Sequence, residues 1–294
     1  MLQDVVRTTA YDEALRRSVT AGCRVIDFGT GTGVLSIFAA RHGAGQVDAI
    51  ERTAFVRHAR KIAAASGQPQ IRFHHANHES FTTDAQADVL VSEWMGHFLF
   101  YEAMLEPLIL VRDRWLKPGG IMIPGKVTAH AALVTDEQCY EDLAFLMWQP
   151  YGIDFSCIAD TPLKQCHLVA LEPDQILETV FHLGTLDMAT IAGTPEVLQG
   201  KARVERTATV YGIAAWFSME LTPDFTIGTG PNDPETHWYQ VFFPFLEAIE
   251  VSPDAEITLS IRPPREGEDK EAVWHWSFSD GTQTVETTSV TTGE

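Results

Sequence analysis

Glu93 and Glu102 bracket a short loop containing Gly96, in the run S-E-W-M-G-H-F-L-F-Y-E-A-M-L at 92–105. Two carboxylates that a loop brings together repel each other unless a cation sits between them. A guanidinium suits that gap, because it is planar, carries five N–H donors and can be gripped by two acids at once. The competing reading is a helix N-terminal acid answering the helix dipole, beside an unrelated loop acid; spacing alone leaves both open. A second constellation lies upstream, in C-R-V-I-D-F-G-T-G-T-G-V-L-S-I-F-A-A-R-H-G-A-G-Q-V-D-A-I-E at 23–51. Gly29, Gly31 and Gly33 alternate there, and such a turn lets a ligand press against bare backbone. Its plainer use is to tighten the packing of a strand on a helix. Glu51 can accept hydrogen bonds from two adjacent ribose hydroxyls. The dinucleotide fingerprint G-x-G-x-x-G would need glycine at 34, where Val34 stands. Asp27, two residues before the first glycine, suits a cofactor with a cationic amino-acid end rather than a pyrophosphate, and S-adenosylmethionine has that end.

The elements that must hold these groups follow from hydrophobic pattern. Val25–Phe28 is a short apolar run read as a buried strand, Val34–Arg41 has helical spacing, and Gln46–Ile50 is a second strand with Glu51 at its end. Thr53–Ser66 is an alanine-rich helix closed by Gly67 and Pro69, and Gln70–His75 and Ala87–Ser92 are further strands. Strands alternating with helices give a parallel, doubly wound sheet, whose ligands bind at the carboxyl ends of the strands. Glu51, Glu79 and Glu93 all fall at that edge, with Gly29. Glu102 is expected to open a helix running to Trp115, followed by a turn at Lys117–Gly120 and a strand at Ile121–Ile123. Leu2–Thr20 reads as helix, a break near Thr8–Thr9, then helix, with Asp4 and Arg7 one turn apart as a solvated pair. His74, His75 and His78 form an H-H-x-x-H cluster. Successive strand residues point to opposite faces, so no metal is expected there.

After Pro124-Gly125 the pattern changes. Lys126–Val134, Thr207–Glu220, Tyr239–Phe243, Ile257–Ile261 and Ala272–Ser279 alternate like strands, which predicts a mainly antiparallel sandwich or barrel. Within it, Gln138–Glu178 is a more helical insertion rich in apolar residues: Leu143, Phe145, Leu146, Met147, Trp148, Tyr151 and Phe155. An excursion that cannot bury such residues alone is expected to be an interface, the alternative being packing against its own barrel. Pro263-Pro264 and Arg265–Lys270 read as a solvated hairpin tip, and Thr282–Glu294 is expected to fray. The 294 residues are 45% hydrophobic, enough for a sizeable core. With 21 Lys+Arg against 40 Asp+Glu the formal charge is −19, which attracts cationic partners and repels nucleic acid. Cys23, Cys139, Cys157 and Cys166 are scattered, without C-x-x-C, which suits free thiols in a reducing, cytoplasmic setting (or the nucleus in a eukaryote). The start has no signal-peptide character, and no apolar run approaches the ~20 residues of a membrane helix.

Taken together, the chain resembles the protein arginine N-methyltransferase family. The likeness rests on M-L-Q-D-V-V-R-T at 1–8, V-I-D-F-G-T-G-T-G at 25–33, the S-E-W-M-G…Y-E-A-M-L loop at 92–105, Y-G-I-D-F-S-C-I at 151–158 and T-H-W at 236–238, in that order along nearly the whole chain. It implies an α/β Rossmann-like methyltransferase domain at 1–124, then a mainly antiparallel β-barrel domain at 125–294, interrupted by a helical dimerisation arm at about 138–178 that pairs two subunits head to tail. It implies a cis bond at Pro124. It assigns Arg7 to the carboxylate of S-adenosyl-L-methionine, Asp27 and Gly29 to its amino-acid end within the Gly29–Gly31–Gly33 turn, Glu51 to its ribose, and His78 and Glu79 to its adenine. Met104 would lie near the methyl donor. Glu93 and Glu102 would clamp the substrate guanidinium, beside His97 and Trp238, and His237 would pair with Asp4. His97 stands where many members have tyrosine. The family's additional N-terminal helix, with a tyrosine-rich motif over the cofactor, is expected to be absent or to lie on sequence preceding this one. The implied reaction is methyl transfer to arginine in a protein or peptide, leaving S-adenosyl-L-homocysteine, by a homodimer. Two alternatives are a tailoring methyltransferase for a small guanidine metabolite or short peptide, and a catalytically silent dimeric scaffold.

Overall fold

In the structure, a computed structural model that describes residues 1–264 and 273–290, the chain opens with helix α1, Val5–Ser18. It is one continuous helix, so the expected break at Thr8–Thr9 does not occur. Both threonine hydroxyls turn back onto the main chain, Thr8 Oγ1 donating to Met1 O (2.9 Å) and Thr9 Oγ1 to Val5 O (2.7 Å). β-Branched residues whose hydroxyls are satisfied in this way need not interrupt a helix. Asp4 caps α1 by accepting from the Arg7 N–H (2.9 Å).

Strands β1 Arg24–Phe28, β2 Gln46–Glu51, β3 Ile71–His75, β4 Ala87–Val91 and β5 Leu116–Ile123 form a parallel sheet in the order β3-β2-β1-β4-β5. Helices α2 Val34–Arg41, α3 Val56–Ala65 and α4 Leu105–Trp115 are the crossovers. The strand order reverses at β1, between β2 and β4, and the glycine turn leaves β1 there. Such a switch point is where a doubly wound sheet opens a crevice. Lys117–Gly120, expected to be a turn, lies inside β5, where the register against β4 jumps between Ala87 and Val89. His74 is engaged by Asp48, Nε2 to Oδ1 at 2.8 Å.

The Ile123–Pro124 peptide bond is cis, and antiparallel structure begins two residues later. Strands β6 Lys126–Val134, β7 His167–Val169, β8 Phe181–Asp187, β10 Ala208–Thr222 and β12 Gln240–Val251 pair in the order β7-β12-β10-β6-β8, with β11 Phe225–Gly228 alongside β10. Strands β9 Leu198–Arg203, β13 Glu256–Arg262, β14 Val273–Ser279 and β15 Thr284–Val290 form a second sheet, β15-β14-β13-β9. The Cys166 N–H donates to Val290 O (3.2 Å), joining the β7 edge of one sheet to the β15 edge of the other. β15 corrects the expectation of fraying over Thr284–Val290, which is paired along its length with β14; residues 291–294 of that expectation lie outside the described residues. The hairpin tip at 265–270 lies outside the described residues.

One apolar core runs through both sheet systems. α1 links them: Tyr11, wholly buried, donates to Ser92 O at the end of β4 (3.4 Å) and reaches Met219 of β10 (3.9 Å). The insertion carries helix α5 Glu137–Ala144 and short 3-10 turns at Phe145–Trp148, Pro150–Gly152 and Pro162–Lys164. Tyr140, Ala144 and Leu163 pack with Tyr211, while Trp148 (66% exposed) and Tyr151 (92% exposed) project into solvent. Among the described residues no helix is long and apolar enough to cross a membrane.

Candidate functional site

The glycine turn follows β1 directly. The Gly29 and Thr30 N–H groups both donate to Ile50 O of β2 (3.0 and 2.9 Å), which folds the turn over the sheet edge. Gly29 is in the left-handed region (φ 79°), and a Cβ there would come within 3.1 Å of Met104 Cε. Neither that backbone nor that clearance suits a larger residue. Glu51, buried at the end of β2, accepts from the Gly31 N–H (3.2 Å) and the Thr53 N–H (2.7 Å), so its carboxylate faces the turn. Behind the turn, Asp27 Oδ2 accepts from Thr30 Oγ1 (2.6 Å), Ser36 Oγ (2.6 Å) and the Ser36 N–H (3.0 Å). Its other oxygen, Oδ1, is buried and has no protein partner. Burial pushes the Asp27 carboxyl pKa up, against the lowering effect of the serine and threonine donors.

A cavity of about 450 Å³ opens above this turn, walled by Gly29, Thr30, Gly31, Val34 and Phe55, with Met1–Gln3 across from them. Glu93 and His237 close its inner end. The same two residues line a second cavity of about 880 Å³, together with Arg7, His97, Tyr101, Glu102 and Trp238. The two spaces therefore share a wall.

The 93–104 loop owes its shape to its apolar residues. Trp94, Met95, Leu99 and Phe100 are buried in the core away from the cavity, which leaves Glu93, His97, Tyr101 and Glu102 on the cavity side, with buried Phe98 as part of its apolar wall. Gly96 (φ 54°) lets the loop double back, since a Cβ there would lie 3.2 Å from both Glu102 Cγ and Tyr101 Cβ. Glu102 closes a 3-10 turn, Leu99–Glu102, and does not open α4 as expected. Ala103 takes left-handed backbone (φ 49°), so the α-helix restarts only at Leu105, with Glu106 as its first-turn acid. The helix-dipole reading of Glu102 thereby falls away.

The two glutamates are close enough to influence each other. Burial pushes the Glu93 carboxyl pKa up, the Arg7 guanidinium pulls it back, and the Glu102 charge pushes it up again. Glu102 is open to the cavity, and the protein surrounding it raises its pKa against the opposing charges of His97, Arg52 and Arg7. Each carboxylate thus lies in a setting where a further cation would be welcome.

Arg7 lies at the centre. Its guanidinium reaches Glu93 Oε2 (3.4 Å) and Asp4 Oδ2 (3.5 Å), and stands 4.7 Å over the Trp238 ring. Asp4 and Arg7 are 4% and 7% exposed, which corrects the expectation of a solvated pair. Asp4 Oδ2 also accepts from the His237 backbone N–H (2.9 Å). The expected Asp4–His237 pairing is therefore made through the main chain, and the His237 ring instead stacks near Tyr239 (6.3 Å between centroids). Trp238 is buried against Phe217 at 5.2 Å. His78 and Glu79 lie in the loop after β3, in the turn that Asn77 makes with Ser80, and line neither cavity. Asp27 lies behind the cavity wall, while Gly33 caps α2 beneath the turn. Sequence reasoning missed Cys166, just before β7, His167 and Leu168 of β7, and Val241 and Trp274, which also line the larger cavity. Only Trp274, a buried aromatic in an alternating strand, carried any signal.

The model of the arginine methyltransferase oligomerization subdomain matches residues 126–280, and a methyltransferase domain model matches 25–120. Protein arginine N-methyltransferase 6 of Xenopus laevis is 33% identical over 276 residues, covering 88% of this chain and 80% of the relative. Protein arginine N-methyltransferase 8-B of Danio rerio is 31% identical over 281 residues, covering 91% of this chain and 67% of the relative. Among solved structures, the Trypanosoma brucei PRMT1 enzyme–prozyme heterotetrameric complex with AdoHcy superposes with a TM-score of 0.88 at 26% identity, covering 99% of this chain and 96% of that one. Arabidopsis thaliana protein arginine methyltransferase 10 gives a TM-score of 0.83 at 25% identity, with coverage of 99% and 96%.

Proposed function

We propose that this chain, which belongs to the protein arginine N-methyltransferase family, transfers a methyl group from S-adenosyl-L-methionine to a guanidinium nitrogen of arginine in a protein or peptide, leaving S-adenosyl-L-homocysteine. The observation that carries the reading is the shared wall: Glu93 belongs both to the glycine-turn cavity and to the cavity that Glu102 also lines. The smaller cavity suits the cofactor. It offers bare backbone at Gly29 and Gly31; outside its lining, Glu51 bonds the Gly31 N–H as the acid nearest the turn, and Asp27 keeps a buried, unpartnered oxygen just behind it. Arg7, held by Asp4 and Glu93 in the wall of the larger cavity, is the cation this reading assigns to the cofactor carboxylate, and Met104, close to Gly29, is the residue it sets near the methyl donor. Bound there, S-adenosyl-L-methionine supplies its sulfonium methyl as the electrophile.

This chain's residues do the rest. A guanidinium is a poor nucleophile because its lone pairs are delocalised and its pKa exceeds 12. Glu93 and Glu102, gripping it from two sides, hold its positive charge on the nitrogens they contact and leave the third aimed at the shared wall. Positioning of this kind can supply about 7–11 kcal/mol. Trp238, Trp274 and Phe98 give the cavity apolar walls that exclude water and strengthen those contacts. Glu102, open to the cavity, can receive the proton that the methylated nitrogen releases. The His237 ring is not held by Asp4, which favours Glu102 over that pair as the acceptor.

The exposed apolar arm around Trp148 and Tyr151, inside the segment matched by the oligomerization subdomain model, supports assembly as a homodimer. The four free cysteines suit a reducing compartment such as the cytoplasm. A Gly/Arg-rich peptide incubated with the protein and isotopically labelled cofactor should gain label on arginine, read by mass spectrometry. Labelling of free arginine derivatives but not of any peptide would favour the small-molecule alternative, and absence of cofactor binding by calorimetry would favour the silent scaffold.

A further inference from the structure

We propose that Glu106 and Thr194 are positioning residues for methyl transfer: their bond latches the first turn of α4 to the antiparallel domain and so fixes where Glu102 and Met104 stand. The inference rests on the methyltransferase reading above, and it concerns two residues to which that reading gives no task. Glu106 lies in the first turn of α4, and Thr194 in the 188–197 loop between β8 and β9. Glu106 Oε1 accepts from the Thr194 N–H (3.0 Å) and from the Thr194 hydroxyl. A carboxylate oxygen that takes two donors from one residue is held in both distance and direction. Further along α4, buried Arg112 donates through Nη1 to Met188 O (2.9 Å), in the same loop. Neither Glu106 nor Thr194 lines the two cavities of the site.

The loop is built firmly enough to serve as an anchor. Asp187, at the end of β8, accepts from the Ala189 N–H through Oδ1 (2.9 Å) and from the Ile191 N–H through its carbonyl (2.8 Å). The Met188 N–H donates to Gly125 O (2.9 Å), which ties the loop to the start of the antiparallel domain. What the latch has to hold is the segment just ahead of it. Glu102 closes a 3-10 turn that begins at Leu99 (φ 50°) and is followed by Ala103 (φ 49°), both in left-handed backbone. Residues other than glycine keep that backbone only where their surroundings impose it. Buried Leu105, Leu108 and Val111 decide which face of α4 meets the core, but apolar burial is non-directional and does less to fix a helix along its axis. Met104, the residue that precedes the helix, makes no side-chain capping bond that could set its start. The directional bonds of Glu106 and Arg112 supply that restraint. A shift of α4 would carry Met104 off the Gly29 turn and Glu102 out of the clamp together.

The test uses the full chain and three variants: T194V, which loses the hydroxyl, T194S, which keeps it, and E106A, which loses the acceptor. Steady-state kinetics on a Gly/Arg-rich peptide are read well below each melting midpoint, where a merely structural loss does not reach the rate. A displacement of about 1 Å can cost about a hundredfold, so kcat should fall about tenfold or more in T194V and E106A while T194S stays within about twofold of wild type. Affinity for S-adenosyl-L-homocysteine, read by calorimetry, should stay near wild type in all three, since the glycine turn and Glu51 lie off α4. The double variant should lose no more than E106A alone, because removing the acceptor already cuts both bonds. An active wild type whose kcat is matched by T194V and E106A overturns the proposal and leaves the methyltransferase reading standing. So does a loss in T194S equal to that in T194V, or a double variant in which the two losses multiply. Wild type that methylates no peptide overturns both. T194V and T194S change only a half-buried loop side chain, so they decide the matter even where E106A does not fold.

Discussion

Glu93→Gln separates function from stability more sharply than any other change to this site. The amide would keep the shape and an acceptor oxygen for Arg7 but lose the charge that the substrate cation meets. Two unit charges about 4 Å apart at an effective dielectric of about 20 attract by roughly 4 kcal/mol. Exchange with water reduces a charge-assisted hydrogen bond to a net of about 1.5–3 kcal/mol. At about 1.4 kcal/mol per decade, kcat/KM should fall roughly 10- to 150-fold, and further if the contact tightens in the transition state. Stability should move the other way. Burial and the nearby Glu102 raise the folded-state pKa of Glu93, partly offset by Arg7. A raised carboxylate contributes its stability below the unfolded pKa and loses it as pH rises through the folded one. At pH 8 the ionised group is therefore a cost that the amide removes. The variant should melt at or above the wild-type temperature at pH 8, with its advantage shrinking toward pH 4. Steady-state kinetics on a Gly/Arg-rich peptide, cofactor calorimetry and melting curves against pH measure all three. Activity within about threefold of wild type, with cofactor bound, would refute the clamp; a lower melting temperature at pH 8 would refute the account of Glu93 burial.

The acid limb of wild-type kcat/KM should lie above the ordinary carboxylate value of about 4.3, because burial raises both Glu93 and Glu102; a pH–rate profile with its limb at the ordinary value would contradict this. Asp27→Ala strips the acceptor from Thr30 and Ser36, at about 1–3 kcal/mol for each buried group left unpaired, so calorimetry should show a lower melting temperature and weaker cofactor binding. Trp238→Ala empties a buried site under the Arg7 guanidinium and should cost about 3–5 kcal/mol in chemical denaturation, with loss of turnover. Charging the arm with Trp148→Asp and Tyr151→Asp removes two exposed apolar side chains and should shift the sedimentation coefficient toward monomer while leaving the melting temperature near wild type.

Much of this molecule is legible along the chain because the relevant physics is local. The glycine turn between a buried strand and a helix, with an acid at the end of the next strand, is set by neighbours within about thirty residues, and β1, α2 and β2 fall where the pattern puts them. Alternation after Pro124 announced the antiparallel domain for the same reason: a period of two is a property of the segment. The misses are equally physical. The Thr8–Thr9 pair stays helical because its hydroxyls find carbonyls upstream, Thr9 one turn back at Val5 and Thr8 at Met1, ahead of the helix. The last strand, β15, is ordered by β14, which pattern at the chain's end could not reveal.

The site divides along the same line. Residue types and spacing determined that Glu93, Glu102, Gly29 and Glu51 were worth watching. Tertiary structure alone decided that Asp4 and Arg7 are buried, that Asp4 holds His237 by its backbone rather than its ring, and that β7 also lines the larger cavity. Each of these depends on α1 lying across both sheet systems, an arrangement fixed by the burial of Tyr11 against groups 81 and 208 residues away. Contacts over such distances leave no periodic trace in the chain, because the burial that rewards them exists only once both sheets have formed.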